Sequence, residues 1–165
     1  MNDHLTPKPP ARRLGQQALV LHEDSDLELR VLLLEPAHRE GYTLPGGGAE
    51  ADELPHLAAR RHLETRTGLV LPLRTVLTVD YVARRDHPEA LDLVYAGGVV
   101  THRQARTMNV HRLPPDIRAL HWIPRHLLDT VMQPDDAHRV HDAWDAWEHG
   151  AGRPLLLRGS PVPVC

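Results

Sequence analysis

Apolar residues in this 165-residue chain occur in short β-rich runs and in longer stretches with helical spacing. Two of the runs bracket the polar segment EDSD, a pattern typical of a β-hairpin whose second strand is buried. A later pair of runs is separated by ARRDHPEA, which favours a loop. The pattern predicts strands at residues 17–22, 29–34, 42–44, 73–82, 91–100 and 120–123.

Three further segments carry helical signals. In the first, Pro55 suits an opening turn, apolar residues gather on one side as far as Thr67, and Gly68 stands where a C-terminal cap glycine belongs. The other two predicted helices are residues 125–131 and 134–149. Strands mixed with two or three helices predict an α/β sandwich.

The order of these elements shows no internal repeat and no linker, so we expect one folded domain over residues 14–150. Residues 1–13 carry three prolines without periodicity and are expected to form a mobile tail. The C-terminal extension, residues 151–165, is expected either to add a short edge strand or to remain loose.

Composition excludes several classes of protein. A net charge of -3 gives no electrostatic case for binding nucleic acid or a membrane surface. No apolar run approaches the roughly 20 residues of a membrane span. The N-terminus lacks the apolar core of a signal peptide, and the single Cys165 excludes an internal disulfide. We therefore expect a cytoplasmic protein.

The stretch GGGAEADELPHLAARRHLETRTGL, residues 46–69, is the most informative part of the chain. Glycines before a helix let a ligand approach the main chain closely, and the start of the helix offers unpaired N–H groups to an anion. Gly46, Gly47 and Gly48 are therefore candidate substrate-binding residues.

The spacing of this stretch resembles the Nudix box, G-x5-E-x7-R-E-U-x-E-E-x-G-U, where U is aliphatic. The matching positions are Gly47, Glu53, Arg61, Leu63, Gly68 and Leu69. A buried strand before the box and the segment PPDIRALHWIPRHLL after it extend the resemblance to about residues 15–150. It implies the Nudix fold, an α/β/α sandwich around a mixed sheet.

The resemblance also implies an activity. Nudix enzymes hydrolyse nucleoside diphosphates linked to another moiety, and box glutamates hold the Mg²⁺ or Mn²⁺ ions that activate water. The substrate is then a phosphorylated or nucleotide-like small molecule. Glu53 and Arg61 are expected to pair and brace the loop, with Leu63 and Gly68 as further structural positions. Family members often form dimers, so a homodimer is possible.

The three positions where the family keeps metal-binding glutamates hold His62, Thr65 and Arg66. Three carboxylates would carry a charge of -3, whereas a neutral histidine, a threonine and an arginine carry +1, a difference of four units. Mg²⁺ prefers oxygen ligands, and an arginine does not lose its proton to supply a ligand atom. The substitutions therefore argue against the family's usual metal site.

One hypothesis is a divergent or repurposed protein that binds or acts on an anionic small molecule without the usual metal. Arg66 would clamp a phosphate, since guanidinium groups do so without a metal. Arg84 and Arg85, in the loop between two strands, would border the same pocket. His62 would act as an acid or a base.

Two alternatives remain. In one, a hydrolase uses a metal site rebuilt from Glu50, His62, Asp116 and the Gly46 carbonyl, with a nitrogen ligand that favours Mn²⁺ over Mg²⁺. In the other, the protein is a catalytically inactive binding or regulatory module on the Nudix scaffold.

Overall fold

The computed structural model describes residues 11–83, 88–150, 156–157 and 159–161 of the chain. In these ranges the elements are β1 (Arg12–Glu23), β2 (Leu29–Pro36), β3 (Gly46–Gly48), α1 (Pro55–Thr67), β4 (Val76–Val82), β5 (Glu89–Val100), α2 (His102–Ala105), β6 (Ile117–Pro124), a 3-10 turn (Arg125–Leu127), α3 (Leu128–Val131), α4 (Pro134–His149), β7 (Leu156–Leu157) and β8 (Ser160–Pro161).

These strands form one mixed sheet, ordered β6-β2-β1-β5-β4-β7-β8, with β3 paired to β1 beside this path. β1 is central because it pairs antiparallel with β2 and β3 and parallel with β5. The glycine-rich strand β3 therefore lies directly against the first half of β1, from Gly15 to Gln17.

Side chains alternate between the two faces of β1 and build a separate core on each face. Ala18 and Val20 belong to the cluster that contains α1 residues. Leu19 and Leu21 belong to the cluster that contains Trp144 and other α4 residues. The sheet is thus covered by helices on both faces, which confirms the predicted α/β/α sandwich. Among the described residues, no helix is both long and apolar enough to cross a membrane.

Local sequence signals predicted the helices best. α1 ends at Thr67, as predicted, and Gly68 caps it with a φ of 80° and an N–H that donates to the Glu64 carbonyl. α4 has the predicted bounds, whereas the predicted helix at 125–131 divides into the 3-10 turn and α3. β1 begins at Arg12, so the sheet includes two residues assigned to the N-terminal tail.

The predicted strand at residues 42–44 is wrong in position. Tyr42 and Thr43 form only isolated bridges, and the strand is Gly46–Gly48 itself. The strand depends on glycine, since a Cβ at Gly46 would lie 2.1 Å from the Gln16 carbonyl oxygen. A side chain at this position would prevent the close pairing of β3 with β1.

The C-terminal extension adds to the sheet where it is described. β7 pairs parallel with β4, and β8 pairs antiparallel with β7. This corresponds to the edge-strand alternative. The rest of the segment at 151–165, including Cys165, lies outside the described residues, as do residues 1–10.

A buried ion-pair network joins the sheet to α4. Asp80 of β4 and Asp92 of β5 lie opposite each other in register, a placement that destabilises a sheet when both residues are negative. Arg139 of α4 neutralises them. Its guanidinium lies 2.7 Å from an Asp80 carboxylate oxygen and 3.4 Å from one of Asp92, and it also contacts Asp136 at 2.9 Å.

Burial and neighbouring charges have opposite effects on the pKa values of Arg139 and Asp92. Burial alone would lower the pKa of Arg139, but Asp92, Asp80 and Asp136 together raise it, so the guanidinium stays charged. Burial raises the pKa of Asp92 despite the attraction of Arg139. The backbone N–H of Gly159 also donates to Asp80, at 3.1 Å. The network therefore connects α4, two strands and part of the C-terminal extension.

We predict that Arg139→Met lowers the free energy of unfolding by about 3–5 kcal/mol, because it leaves the fully buried Asp80 carboxylate without its cation. Urea unfolding followed by circular dichroism measures this loss. Arg39→Met is the matched control, since Arg39 is half-exposed and its ion pair with Asp136 should contribute at most about 1 kcal/mol. Similar small losses in both variants would contradict the structural role of Arg139.

Candidate functional site

The glycine-rich loop is fixed to α1 by Glu53 and Arg61. Arg61 donates to both oxygens of the Glu53 carboxylate, from Nε at 2.7 Å and from Nη2 at 2.6 Å. The same carboxylate accepts the Glu50 backbone N–H at 2.9 Å, and Arg61 reaches the Gly48 carbonyl at 3.4 Å. The pair expected from the box resemblance is present and holds the loop that precedes α1.

Glu53 and Arg61 each favour the charged form of the other. The hydrogen bonds from Arg61, and then that from the Glu50 N–H, lower the pKa of Glu53 to about 2. Glu53 in turn raises the pKa of Arg61. Because the Glu53 pKa is depressed, its stabilising contribution is complete above its ordinary value of 4.5 and is lost as the pH falls through about 2.

His62 makes a second connection between α1 and the loop. Its Nε2 lies 2.8 Å from the Gly48 carbonyl oxygen. A carbonyl only accepts hydrogen bonds, so Nε2 carries the proton and is the donor. The ring lies directly over Gly47, where a Cβ would come within 2.3 Å of it. His62 therefore packs against the loop and does not line the cavity that lies beside the loop.

Of the three replaced box residues, Arg66 is the one that lines the cavity between β1, the glycine-rich loop, α1 and α4. Its Nη1 lies 3.1 Å from Oδ2 of Asp116, and the two side chains are 24% and 49% exposed. Thr65, the third replaced position, is exposed and does not line the cavity. The three substitutions therefore have three different environments, although all were expected on one face of the helix.

The cavity has a volume of about 540 Å³ and lies between the start of β1, the glycine-rich strand, the C-terminal part of α1 and α4. Its charged walls carry four arginines and three aspartates, which gives a formal charge of +1. These residues are Arg13, Arg39, Arg66, Arg139, Asp92, Asp116 and Asp136. Gly46, Gly47 and Gly48 line it as expected, whereas Glu50 does not.

The structure does not assemble the expected metal set of Gly46, Glu50, His62 and Asp116. The Glu50 side chain is 76% exposed and lies 3.7 Å from Arg61, while Asp116 pairs with Arg66. His62 lies over Gly47, outside the cavity that Asp116 lines, and its Nε2 donates to the Gly48 carbonyl. In the described part of the chain, the one group close enough to share an ion is Asp145, Glu148 and His149. The residues at the box therefore do not fit Mg²⁺ or Mn²⁺.

Several residues of the cavity and of the adjoining ion-pair network were not predicted from the sequence, and two expected residues cannot be placed. Asp80 and Asp92 each interrupt an apolar β-run, a signal that could have indicated a buried ionic contact. Arg13 and Arg39 gave no such signal, because they lie in polar segments. Arg84 and Arg85, the other expected phosphate ligands, lie outside the described residues.

Comparison with solved structures shows the same fold in proteins of low sequence identity. The NUDIX domain of Shewanella oneidensis NrtR, in complex with ADP ribose, has a TM-score of 0.68 and 19% identity, covering 83% of this chain and 89% of that one. The MutT protein from Methanosarcina mazei Go1 has a TM-score of 0.66 and 16% identity, covering 86% and 99%. A C. elegans Ap4A hydrolase binary complex has a TM-score of 0.64 and 10% identity, covering 84% and 99%.

Comparison at the level of sequence gives a match to the family and none to an individual protein. No curated protein sequence matches the chain. The family model described as the NUDIX domain matches residues 12–147, which include β1, the box and all but the last two residues of α4. With this match over most of its length, and the fold and box frame described above, the chain belongs to the Nudix family.

Proposed function

We propose that this Nudix-family protein binds a phosphorylated, nucleotide-like small molecule through arginine side chains, without a carboxylate-bound metal. The observation that carries this proposal is Arg66, which brings a positive charge to the cavity wall at a box position where the family keeps a glutamate. The similar structures contain ADP ribose in one case and belong to an Ap4A hydrolase in another. These neighbours support a nucleotide-like ligand.

The arginines of the cavity differ in their availability to a ligand. Arg139 is 4% exposed and surrounded by carboxylates, so its role is structural. Arg13 is exposed and has no ion pair within 4 Å among the described residues, although its charge acts on Asp92. Arg66 makes one, to the half-exposed Asp116. A phosphate can therefore bind Arg13 directly and replace Asp116 as the partner of Arg66, using the paired donors of the guanidinium group.

Members of the family generally use divalent metals such as Mg²⁺ or Mn²⁺. A metal-dependent hydrolase is not the function that this site favours, because its candidate ligands are paired with Arg66, Arg61 and the Gly48 carbonyl. Acid or base catalysis by His62 is not favoured either, since the side chain does not line the cavity. Binding without hydrolysis is the function that the geometry supports best.

We predict that ADP-ribose binds in the presence of EDTA and that Arg66→Ala weakens binding by about 10- to 100-fold. Loss of a hydrogen bond to a charged group costs about 1.5–3 kcal/mol, and about 1.4 kcal/mol is tenfold in affinity. Isothermal titration calorimetry measures both values. Arg60→Ala is the matched control, because Arg60 lies on the exposed side of the same helix and outside the cavity. Binding that EDTA abolishes, or equal losses in the two variants, would overturn the proposal.

Because Asp116 is proposed to compete with the ligand for Arg66, removing its charge should increase the affinity for ADP-ribose. In Asp116→Asn, the competing carboxylate is gone and Arg66 is free for the ligand, so we expect the dissociation constant for ADP-ribose to fall several-fold. The same titration measures it, with Asp52→Asn, an exposed loop substitution, as the control. If Asp116 held a catalytic metal, the variant would instead lose binding or turnover.

Restoring the family's carboxylates should restore metal binding. We expect the triple variant His62→Glu, Thr65→Glu, Arg66→Glu to gain a rise in Tm when millimolar Mg²⁺ or Mn²⁺ is added, because carboxylate oxygens are returned to the box positions where the family keeps them. The unmodified protein should show no such rise. Differential scanning fluorimetry with and without EDTA makes the comparison. Metal-dependent stabilisation of the unmodified protein would show that other groups hold an ion.

A further inference from the structure

Three aspartates share the guanidinium group of Arg139. Oxygens of Asp80, Asp92 and Asp136 lie 2.7, 3.4 and 2.9 Å from its nitrogens. With all four side chains ionised, three negative charges face one positive charge, and the network carries a formal charge of -2. A buried carboxyl group without sufficient compensation avoids the cost of its charge by binding a proton. The network therefore favours a proton on one of its aspartates.

The contacts of the three carboxylates differ, and Asp92 has the fewest. Asp80 accepts hydrogen bonds from Nε of Arg139, at 2.8 Å, and from a backbone N–H of the C-terminal extension, at 3.1 Å. Asp136 accepts from Arg139 at 2.9 Å and from Arg39 at 3.3 Å. Asp92 makes no hydrogen bond among the described residues, and burial raises its pKa. Asp92 is therefore the member of the network that takes up a proton most readily.

Asp92 lines the same cavity as Arg13, the arginine proposed to bind a phosphate directly. Its carboxyl group lies over Gly15 of β1, where a Cβ would come within 1.9 Å of Oδ1. The positive charge of Arg13 opposes the rise in the pKa of Asp92. A phosphate bound to Arg13 would offset this charge and add negative charge beside Asp92, and both changes favour the protonated carboxyl group. Protonation of Asp92 is therefore expected to be coupled to ligand binding.

Charged groups on three neighbouring elements act on Asp92. They are Arg13 on β1, Asp80 on β4, and Arg139 and Asp136 on α4. Two further titratable side chains, His38 and Asp116, line the cavity and could also make binding depend on pH. His38 is exposed, and Asp116 is paired with Arg66. Variants of both side chains are therefore needed to assign a bound proton to Asp92.

We infer that the cavity binds its anionic ligand together with a proton, which the carboxyl group of Asp92 takes up. This inference rests on the proposed function and adds a dependence of affinity on pH. With Asp92 protonated, the formal charge of the cavity rises from +1 to +2, so an anion is attracted more strongly. Because the pKa of Asp92 is raised above its ordinary value of 3.8, the affinity increases as the pH falls toward that raised pKa and levels off below it.

Isothermal titration calorimetry of ADP-ribose, in two buffers that differ in ionisation enthalpy, measures the protons taken up on binding. Each phosphate of this ligand carries two substituents, so it lacks the second ionisation that a phosphate monoester has at a pH of about 6. We expect net proton uptake, and an affinity that rises several-fold when the pH is lowered from about 7.5 to about 5.5.

Asp92→Asn keeps this side chain neutral at every pH. The variant should bind ADP-ribose several-fold more tightly than the unmodified protein at about pH 7.5, without proton uptake. Asp116→Asn is the matched control, because it also removes a carboxylate from the cavity but should retain the proton uptake. His38→Gln should retain it as well.

The outcomes separate this inference from the proposed function. ADP-ribose binding without proton uptake, or uptake that is unchanged in Asp92→Asn, overturns the coupling alone. If Asp92→Asn does not fold, loss of the uptake in His38→Gln or Asp116→Asn overturns it, and uptake retained in both supports it. If the unmodified protein binds ADP-ribose at neither pH, the proposed function fails and this inference fails with it.

Discussion

The interaction of Arg139 with two opposed aspartates supports both the fold and the candidate site. β4 and β5 place Asp80 and Asp92 side by side, so their pairing depends on a cation supplied by α4. The same guanidinium lines the cavity beside the glycine-rich loop. One wall of that cavity is therefore part of the protein interior, and its position does not depend on a ligand.

The box shows how a family frame can keep its architecture while its chemistry changes. Glu53 and Arg61 still fix the loop to α1. His62 adds a hydrogen bond to the same loop, and Arg66 adds a cation to the cavity wall. The family and the fold follow from the retained positions. The proposed ligand chemistry follows from the replaced ones, which is why membership of the family does not by itself define the activity.

Helix ends depend on residues that are close together along the chain, and these were predicted from local sequence signals. Pro55 and Gly68 delimited α1 because helix ends have their own residue preferences. The placement of Asp80 opposite Asp92 depends on the register between β4 and β5, which cannot be read from the sequence of either strand alone. The structure does not bring Glu50, His62 and Asp116 together, because each contacts a nearer partner. Helix periodicity gives the direction of a side chain but not its contacts. Predicting Arg39 as a cavity residue would have required knowledge of which loop lies beside the cavity.

The packing of His62 on Gly47 has a consequence for how this protein can diverge. The ring lies where any other residue at position 47 would place its Cβ, so the loop glycine and the helix histidine constrain each other. A change at position 62 alone removes a donor from the Gly48 carbonyl and leaves the guanidinium of Arg66 one turn away. A substitution at position 62 alone would therefore lose a contact with the loop without creating a metal site, because the positive charge of Arg66 would remain.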